Sequence, residues 1–294
     1  MLLLIAVQQH WKGNSADVTA AFLQGQPLDR GTPLFFKVPK NWPDPVMERL
    51  RNKLGAGVRH DVMKITKGLF GLGESPRLWY LAFRQVLLDL GFCELKLAVS
   101  VFVYFGKEGQ LQGLVSVHVD DALMAGSSHM TDTWSQLQAR LKLGSWKALD
   151  EGVTYVGRHM QRNPADFTVR VDMDGFCSEV KPMQVTARDW ATPLSESEKV
   201  DLARLNGQLA WAARQGRPDL SYGVSRCQQG QAEATIETAR EANAVTKRAH
   251  VKWFMVMPDL KCELSEVIFL AATDAAHGAM PRLGSQLGSA VRVI

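Results

Sequence analysis

Val115-Ser116-Val117-His118-Val119-Asp120-Asp121-Ala122-Leu123-Met124-Ala125-Gly126-Ser127 is the stretch on which the fold turns. The Val-rich segment before the acidic pair and the apolar segment after it predict two strands, Leu111 to Val119 and Ala122 to Ala125, joined as a hairpin with two carboxylates at its tip. Adjacent carboxylates at a tight turn repel each other, and a divalent cation that accepts oxygen ligands from both relieves the repulsion. An Asp-Asp pair alone says little, because 17 Asp in 294 residues give about one such pair by chance. The apolar strands on both sides are what distinguish it from a solvated surface turn. Upstream, Asp17 lies in Asp17-Val18-Thr19-Ala20-Ala21-Phe22-Leu23, a third acid able to complete a three-carboxylate site. Two-metal phosphoryl transfer uses such a set: one ion lowers the pKa of an attacking hydroxyl, and both stabilise charge at the reacting phosphorus.

Outward from this hairpin, Leu97 to Phe105 reads as another strand, and Leu2 to Val7 as the end of a buried helix before a turn at Gly13-Asn14-Ser15. Pro27, Pro33, Pro39, Pro43 and Pro45 make Gln26 to Pro45 a loop-rich excursion with one strand, Leu34 to Val38. Ser75-Pro76 precedes a helix from Arg77 to Leu90, with apolar residues at helical spacing and Gly91 as its stop. Past Ser127, the pattern predicts a helix from Thr131 to Leu143 and strands at Val153 to Met160 and Phe167 to Val171. Helices follow from Ser197 to Arg214 and Ile236 to Phe254, and a strand from Glu266 to Ala272 ends at Thr273-Asp274. The fold class is α+β.

Composition sets wide bounds. With 46% hydrophobic and 22% charged residues the chain can bury one large core or two or three smaller ones. A net charge of +4 favours an acidic partner slightly and does not by itself identify nucleic acid. Cys93, Cys177, Cys227 and Cys262 have neither zinc-site nor disulfide spacing, so an intracellular chain with reduced thiols is expected. The opening MLLLIAV fits no cleavable signal and is too short to span a membrane.

Three segments in collinear order carry a family resemblance. Asp17 to Gly25 (DVTAAFLQG), Leu69 to Tyr80 (LFGLGESPRLWY) and His118 to Asp121 (HVDD) resemble the corresponding motifs of copia-type retrotransposon reverse transcriptases. Tyr155 to Gly157, Leu205 to Ser225 and Thr246 to Phe254 are similar to later segments of the same elements. The resemblance implies a right-hand polymerase palm with partial fingers over residues 1–145, a thumb- or connection-like region over 146–262 and a truncated ribonuclease H-like start over 263–294. It implies an RNA-directed DNA polymerase acting on an RNA or DNA template with primer and deoxynucleoside triphosphates, within a longer Pol polyprotein.

Carried over by position, the resemblance makes Asp17, Asp120 and Asp121, with the Val18 carbonyl, the ligands of two Mg²⁺, with Mn²⁺ as a substitute. It puts Phe22 beneath the sugar of the incoming nucleotide, where the alternative is plain core packing. Gly71, Ser75 and Pro76 would shape the floor under nucleotide and template base, the alternative being an ordinary turn before a helix. Lys64, Lys67, Arg77, Tyr155 and Gly157 are weaker primer or template candidates, Lys64 and Lys67 reading equally well as solvated charges; Lys247, Arg248, His250 and Lys252 could form a weak basic stripe towards a duplex, the commoner meaning of such a run being a solvated helix face. Trp79 and Tyr80 read as core or interface.

The sequence also departs from the family. His118 replaces a Tyr, Val99 stands near the place of a usual Asp, and the basic fingers segment has no counterpart before residue 1. These departures favour another reading, an inactive copy that still binds primer and template; a metal-dependent nuclease is a third reading. Asp172-Met173-Asp174-Gly175 lacks the closing Glu of a calcium loop, since residue 183 is Met, and reads as a turn. Asp274 resembles the first acid of a ribonuclease H domain. No Asp or Glu follows from Ala275 to Ile294, so ribonuclease H activity is not expected of this chain.

Overall fold

The computed structural model describes residues 2–39, 41, 43–54, 62–263, 266–280 and 284–293, and of the last two strands it describes the backbone. The first half contains α1 (Leu2–Gln8), β1 (Lys12–Val18), α2 (Ala21–Gln24), β2 (Phe35–Lys37), α3 (Asp44–Leu54), β3 (Val62–Lys64), α4 (Ser75–Asp89) and β4 (Cys93–Glu94). It continues with β5 (Val101–Phe105), β6 (Leu111–His118), β7 (Asp121–Gly126), α5 (Thr131–Arg140) and β8 (Leu143–Ala148). Six of these strands form one antiparallel sheet in the order β4-β5-β6-β7-β1-β8, and β2 pairs with β3 as a separate ribbon.

Side chains alternate across this sheet, so its two faces have different partners. Phe102, Val115, Ala122 and Met124 meet Trp79, Phe83 and Leu87 of α4 and Leu137 of α5 on one face. Val103, Leu114 and Ala125 point to the other face, against Ala6 of α1 and Trp11. A second antiparallel sheet, β9 (Val153–Tyr155), β10 (Arg158–Arg162), β11 (Val169–Asp172) and β12 (Phe254–Met257), lies on that same side in the order β12-β11-β10-β9. Its Val153, Tyr155, Met160, Val169 and Val171 share an apolar cluster with Leu3, Val7 and Leu123.

Helices α6 (Asp174–Glu179), α7 (Glu196–Gln215), α8 (Ser221–Gln229) and α9 (Ile236–Ala249) enclose a core of their own, including Leu202, Leu209, Val224 and Ala242. Ser195 caps α7 in a reciprocal capping box with Glu198. Glu198 has its carboxyl depressed to about 2, chiefly by the Arg188 side chain and then by Ser195. Arg217 is fully buried and clamps Asp219 through Nε and Nη2, at 2.9 and 3.0 Å. The same guanidinium donates to the carbonyls of Ala249 and Arg248, at 2.6 and 3.0 Å, which closes the C-terminal end of α9. The strands β13 (Phe269–Met280) and β14 (Gly284–Val293) form an antiparallel pair.

Several expected elements shift, each for a local reason. Gly13-Asn14-Ser15, expected as a turn, lies inside β1, because hydrogen bonding to β7 on one side and β8 on the other overrides weak strand propensity. The helix expected to run to Leu143 ends at Arg140, and Leu143 opens β8. The expected domain boundary at 145/146 therefore falls within a strand of the first sheet. Val153 to Met160 is not one strand but the hairpin β9-β10, folded at Val156 and Gly157, both at positive φ (50° and 73°) as a tight hairpin turn requires.

The helix expected to reach Phe254 stops at Ala249, where Arg217 takes the last carbonyls, and Phe254 instead starts β12 beside β11. α4 begins two residues early, at Ser75, with Pro76 in its first turn, where a missing N–H costs nothing. The strand expected from Leu97 starts at Val101, after a turn in which Ser100 has φ 68°. β13 begins at Phe269, not Glu266, and runs on past Thr273-Asp274 to Met280; the Asp274 side chain lies outside the described residues. Asp172 Oδ1 accepts from the Asp174 N–H at 3.2 Å, so the acidic DMDG segment is a helix entry.

Candidate active site

The site is built at one end of the first sheet. β6 and β7 are joined by a two-residue turn, Val119-Asp120, with His118 and Asp121 as the facing pair. Asp17 of β1 is the register partner of Asp121 of β7, so both acids stand at the same level on neighbouring strands. They also share a face: Ala16, Val18 and Ala122 point to the α4 side, which turns Asp17 and Asp121 toward the second sheet. Asp120 sits at the tip.

Val119 has φ 56°, a conformation that a β-branched residue rarely adopts. Two hydrogen bonds hold it there. The indole Nε1–H of Trp79, itself 1% exposed, donates to the Val119 carbonyl at 2.5 Å, and the Val18 N–H donates to the Asp120 carbonyl at 3.0 Å. Trp79 is thus core, as expected, and also a brace for the acidic turn. Trp79→Phe removes that donor and leaves a cavity where the larger indole packed, so it should cost about 2 to 4 kcal/mol in a thermal melt. Any activity of the site, measured where the mutant is still folded, should fall as well. Equal activity in the two proteins would show that the brace is dispensable.

Asp17, Asp121, Ser15, Ser145, Lys147 and the Gly152–Thr154 segment line a cavity of about 230 Å³. Among the described residues no hydrogen bond or ion pair engages the side chains of Asp17, Asp120 or Asp121. Burial, followed by the charges of Asp120 and then Asp17, pushes the Asp121 carboxyl above its ordinary value, while His118 opposes the shift. Among the described residues no group of three or more His, Cys, Asp or Glu side chains is placed to hold a metal ion by itself.

The remaining candidates fall into separate groups. Phe22 is 8% exposed in the core beside α4, and its ring lies 4.8 Å from Phe70, which is 81% exposed. Ser75 is buried and donates to the Leu69 carbonyl at 2.7 Å, closing the loop that contains Gly71 at φ 92°. Pro76 follows it on α4, and Trp79 lies one helical turn further on. This loop is therefore tied to the acidic turn through a single helix.

Lys67 donates to the Gly25 carbonyl at 2.5 Å and knits the same loop to the end of α2. Lys64 is exposed on the β2-β3 ribbon and Arg77 is exposed on α4. Tyr155 is buried, and its hydroxyl lies 3.2 Å from both the Ser116 carbonyl and Oγ. Gly157 supplies the β9-β10 turn next to Trp211. Sequence inspection missed Ser145, Lys147 and Gly144, because β8 hides behind the helix that precedes it.

The family model described as reverse transcriptase (RNA-dependent DNA polymerase) matches residues 1–190. The chain belongs to this family. Similar proteins include the Retrovirus-related Pol polyprotein from transposon RE2 of Arabidopsis thaliana, 30% identical over 251 residues, and that from transposon RE1, 27% identical over 243. Each alignment covers 78% of this chain and 15% of the polyprotein, so the chain spans about a seventh of either relative. A transposon Ty5-1 protein of Saccharomyces cerevisiae is 25% identical over 247 residues, covering 79% of this chain and 78% of that protein. The chain is a reverse transcriptase domain of the copia-type transposon Pol polyprotein kind, and its mixed helix and strand content agrees with that family. Among the described residues no helix is long and apolar enough to cross a membrane.

Proposed function

We propose that this domain carries out RNA-directed DNA synthesis. A primer 3′-hydroxyl attacks the α-phosphorus of a deoxynucleoside triphosphate, a new phosphodiester forms and pyrophosphate leaves. The observation that carries this reading is the pairing of Asp17 with Asp121 across β1 and β7, with Asp120 at the adjoining tip and, among the described residues, no hydrogen bond or ion pair to any of the three carboxylates.

That donor set suits a hard divalent cation, which takes carboxylate and carbonyl oxygens. Mg²⁺ in such enzymes is held by one or two carboxylates and completed by water and substrate phosphates, so the facing pair Asp17 and Asp121 would be enough to begin such a site. Asp17, Asp120 and Asp121, with the Val18 carbonyl, would hold two Mg²⁺ or Mn²⁺ ions. Bound there, the ions would lower the pKa of the primer hydroxyl and offset charge on the phosphate. The chain's own groups supply position: the braced Val119-Asp120 turn fixes the two hairpin acids, and Lys147 offers a cation beside the phosphates.

Phe22 would exclude a 2′-hydroxyl, and Gly71, Ser75 and Pro76 would form the floor beneath the nucleotide. In this reading the first sheet with α4 and α5 is the palm, and β2, β3 and α3 belong to the fingers. The residues after β8 up to 262 act as thumb or connection, and 263–294 begin a ribonuclease H-like segment. Lys64, Arg77 and the β9-β10 turn with Tyr155 and Gly157 lie toward primer and template.

Primer extension on RNA and DNA templates with Mg²⁺ tests the proposal, using this chain and a version extended upstream with the matching segment of a relative. Deoxynucleotide incorporation that requires Mg²⁺ is the expected result. Duplex binding without incorporation by either version would favour the inactive binder, and strand cleavage without triphosphates would favour a nuclease.

A further inference from the structure

We infer that Gly144 is a positioning residue for the Asp17 carboxylate. The inference rests on the metal reading of the site and adds a residue to it. Along β8, Leu143 pairs with Val18 and Ser145 pairs with Asp17, so Gly144 is the extra residue of a β-bulge directly opposite the first acid. A Cβ built at Gly144 would come within 2.7 Å of Asp17 Oδ2 and 2.7 Å of Thr19 Oγ1. No real side chain tolerates that approach. The backbone at Gly144 is outside the positive-φ region, so no conformational demand explains the glycine. What it supplies is space.

Both obstructing atoms are ends of side chains, unlike the neighbours of Gly25, whose added Cβ would meet backbone atoms of α4 at 3.0 to 3.1 Å. A side chain at 144 therefore displaces the carboxylate and leaves the sheet in place. Asp17 has no hydrogen bond or ion pair among the described residues to resist that displacement. The bulge also joins the two walls of the cavity, because Ser145 and Lys147 follow it on the same face. Gly144 thus allows Asp17 to reach a cation shared with Asp121, with β8 closing the cavity behind it.

Mn²⁺ binding to the purified protein, followed by loss of the free-ion paramagnetic resonance signal, tests this alongside thermal melts of wild type, Gly144→Ala, Gly144→Val and Asp17→Asn. Gly144→Ala should melt within a few degrees of wild type and bind Mn²⁺ about tenfold or more weakly, with Gly144→Val at least as impaired. If Asp17→Asn weakens Mn²⁺ binding and Gly144→Ala does not, the role of Gly144 is overturned while the metal reading stands. If Asp17→Asn binds Mn²⁺ like wild type, the metal reading itself fails and this inference with it. A Gly144→Ala protein that melts far below wild type would also overturn it, by assigning the glycine to the fold.

Discussion

Asp121→Asn should lower primer extension about a thousandfold while leaving duplex binding near the wild-type level. Asn keeps the shape and removes the charge that, on the proposed reading, would hold a cation, whose stabilisation of the reacting phosphate would be worth several kcal/mol, and each 1.4 is a factor of ten. Duplex binding rests on phosphate contacts elsewhere and is spared. Stability should move the opposite way to activity. Burial and the charges of Asp120 and Asp17 raise the Asp121 carboxyl above its ordinary 3.8. An acid raised in the folded state binds protons more tightly there than when unfolded. Its contribution to stability is best below 3.8, falls as pH rises through the raised folded value, and remains a penalty at neutral pH. Metal-free Asp121→Asn should therefore melt at or above wild type at pH 7, with an advantage that shrinks as pH falls and disappears below 3.8. Parallel melts from pH 3 to 7, with extension assays at pH 7, check both halves. A mutant that extends primers at the original rate would remove the hairpin from the chemistry.

Phe22→Val should raise ribonucleotide incorporation relative to deoxynucleotide by about a hundredfold, since a severe steric clash is worth a few kcal/mol. A rigid ring beneath C2′ leaves room for hydrogen and none for a hydroxyl, so discrimination comes from shape. Phe22 is also buried against Phe70 and α4, and truncation to Ala should destabilise the fold by about 3 to 5 kcal/mol. Those two effects separate cleanly. Lost packing lowers both incorporation rates together, whereas a lost gate changes their ratio. Single-nucleotide incorporation of matched ribo- and deoxynucleotides, at a temperature where the melt shows the mutant folded, reads the ratio directly. An unchanged ratio would return Phe22 to the core alone.

The acidic hairpin was legible in the sequence because its signals are local. A Val-rich run precedes Asp120-Asp121 and an apolar run follows it, and the observed strands differ from expectation by only a residue or so at each end. The long helix from Glu196 to Gln215 was legible for the same reason, with apolar residues at helical spacing behind a capping box. Family membership rests on short motifs whose order is visible without any fold. β1 was hidden, because Gly13, Asn14 and Ser15 are poor strand formers that become a strand only when β7 and β8 flank them. β8 was hidden too, since Leu143 continues the apolar spacing of α5 until a second hydrogen-bonded edge claims it.

The sequence by itself determined the family and the strands around the Asp-Asp turn. Those depend on residue identity and on neighbours within a few positions. Only the tertiary structure decided that Asp17 is level with Asp121, that Trp79 braces Val119 and that Gly144 leaves room for the first carboxylate. Each of these contacts joins residues 40 to more than 100 positions apart. Register, burial and close approach across such distances are set by the packing of whole strands and helices, which no local pattern encodes.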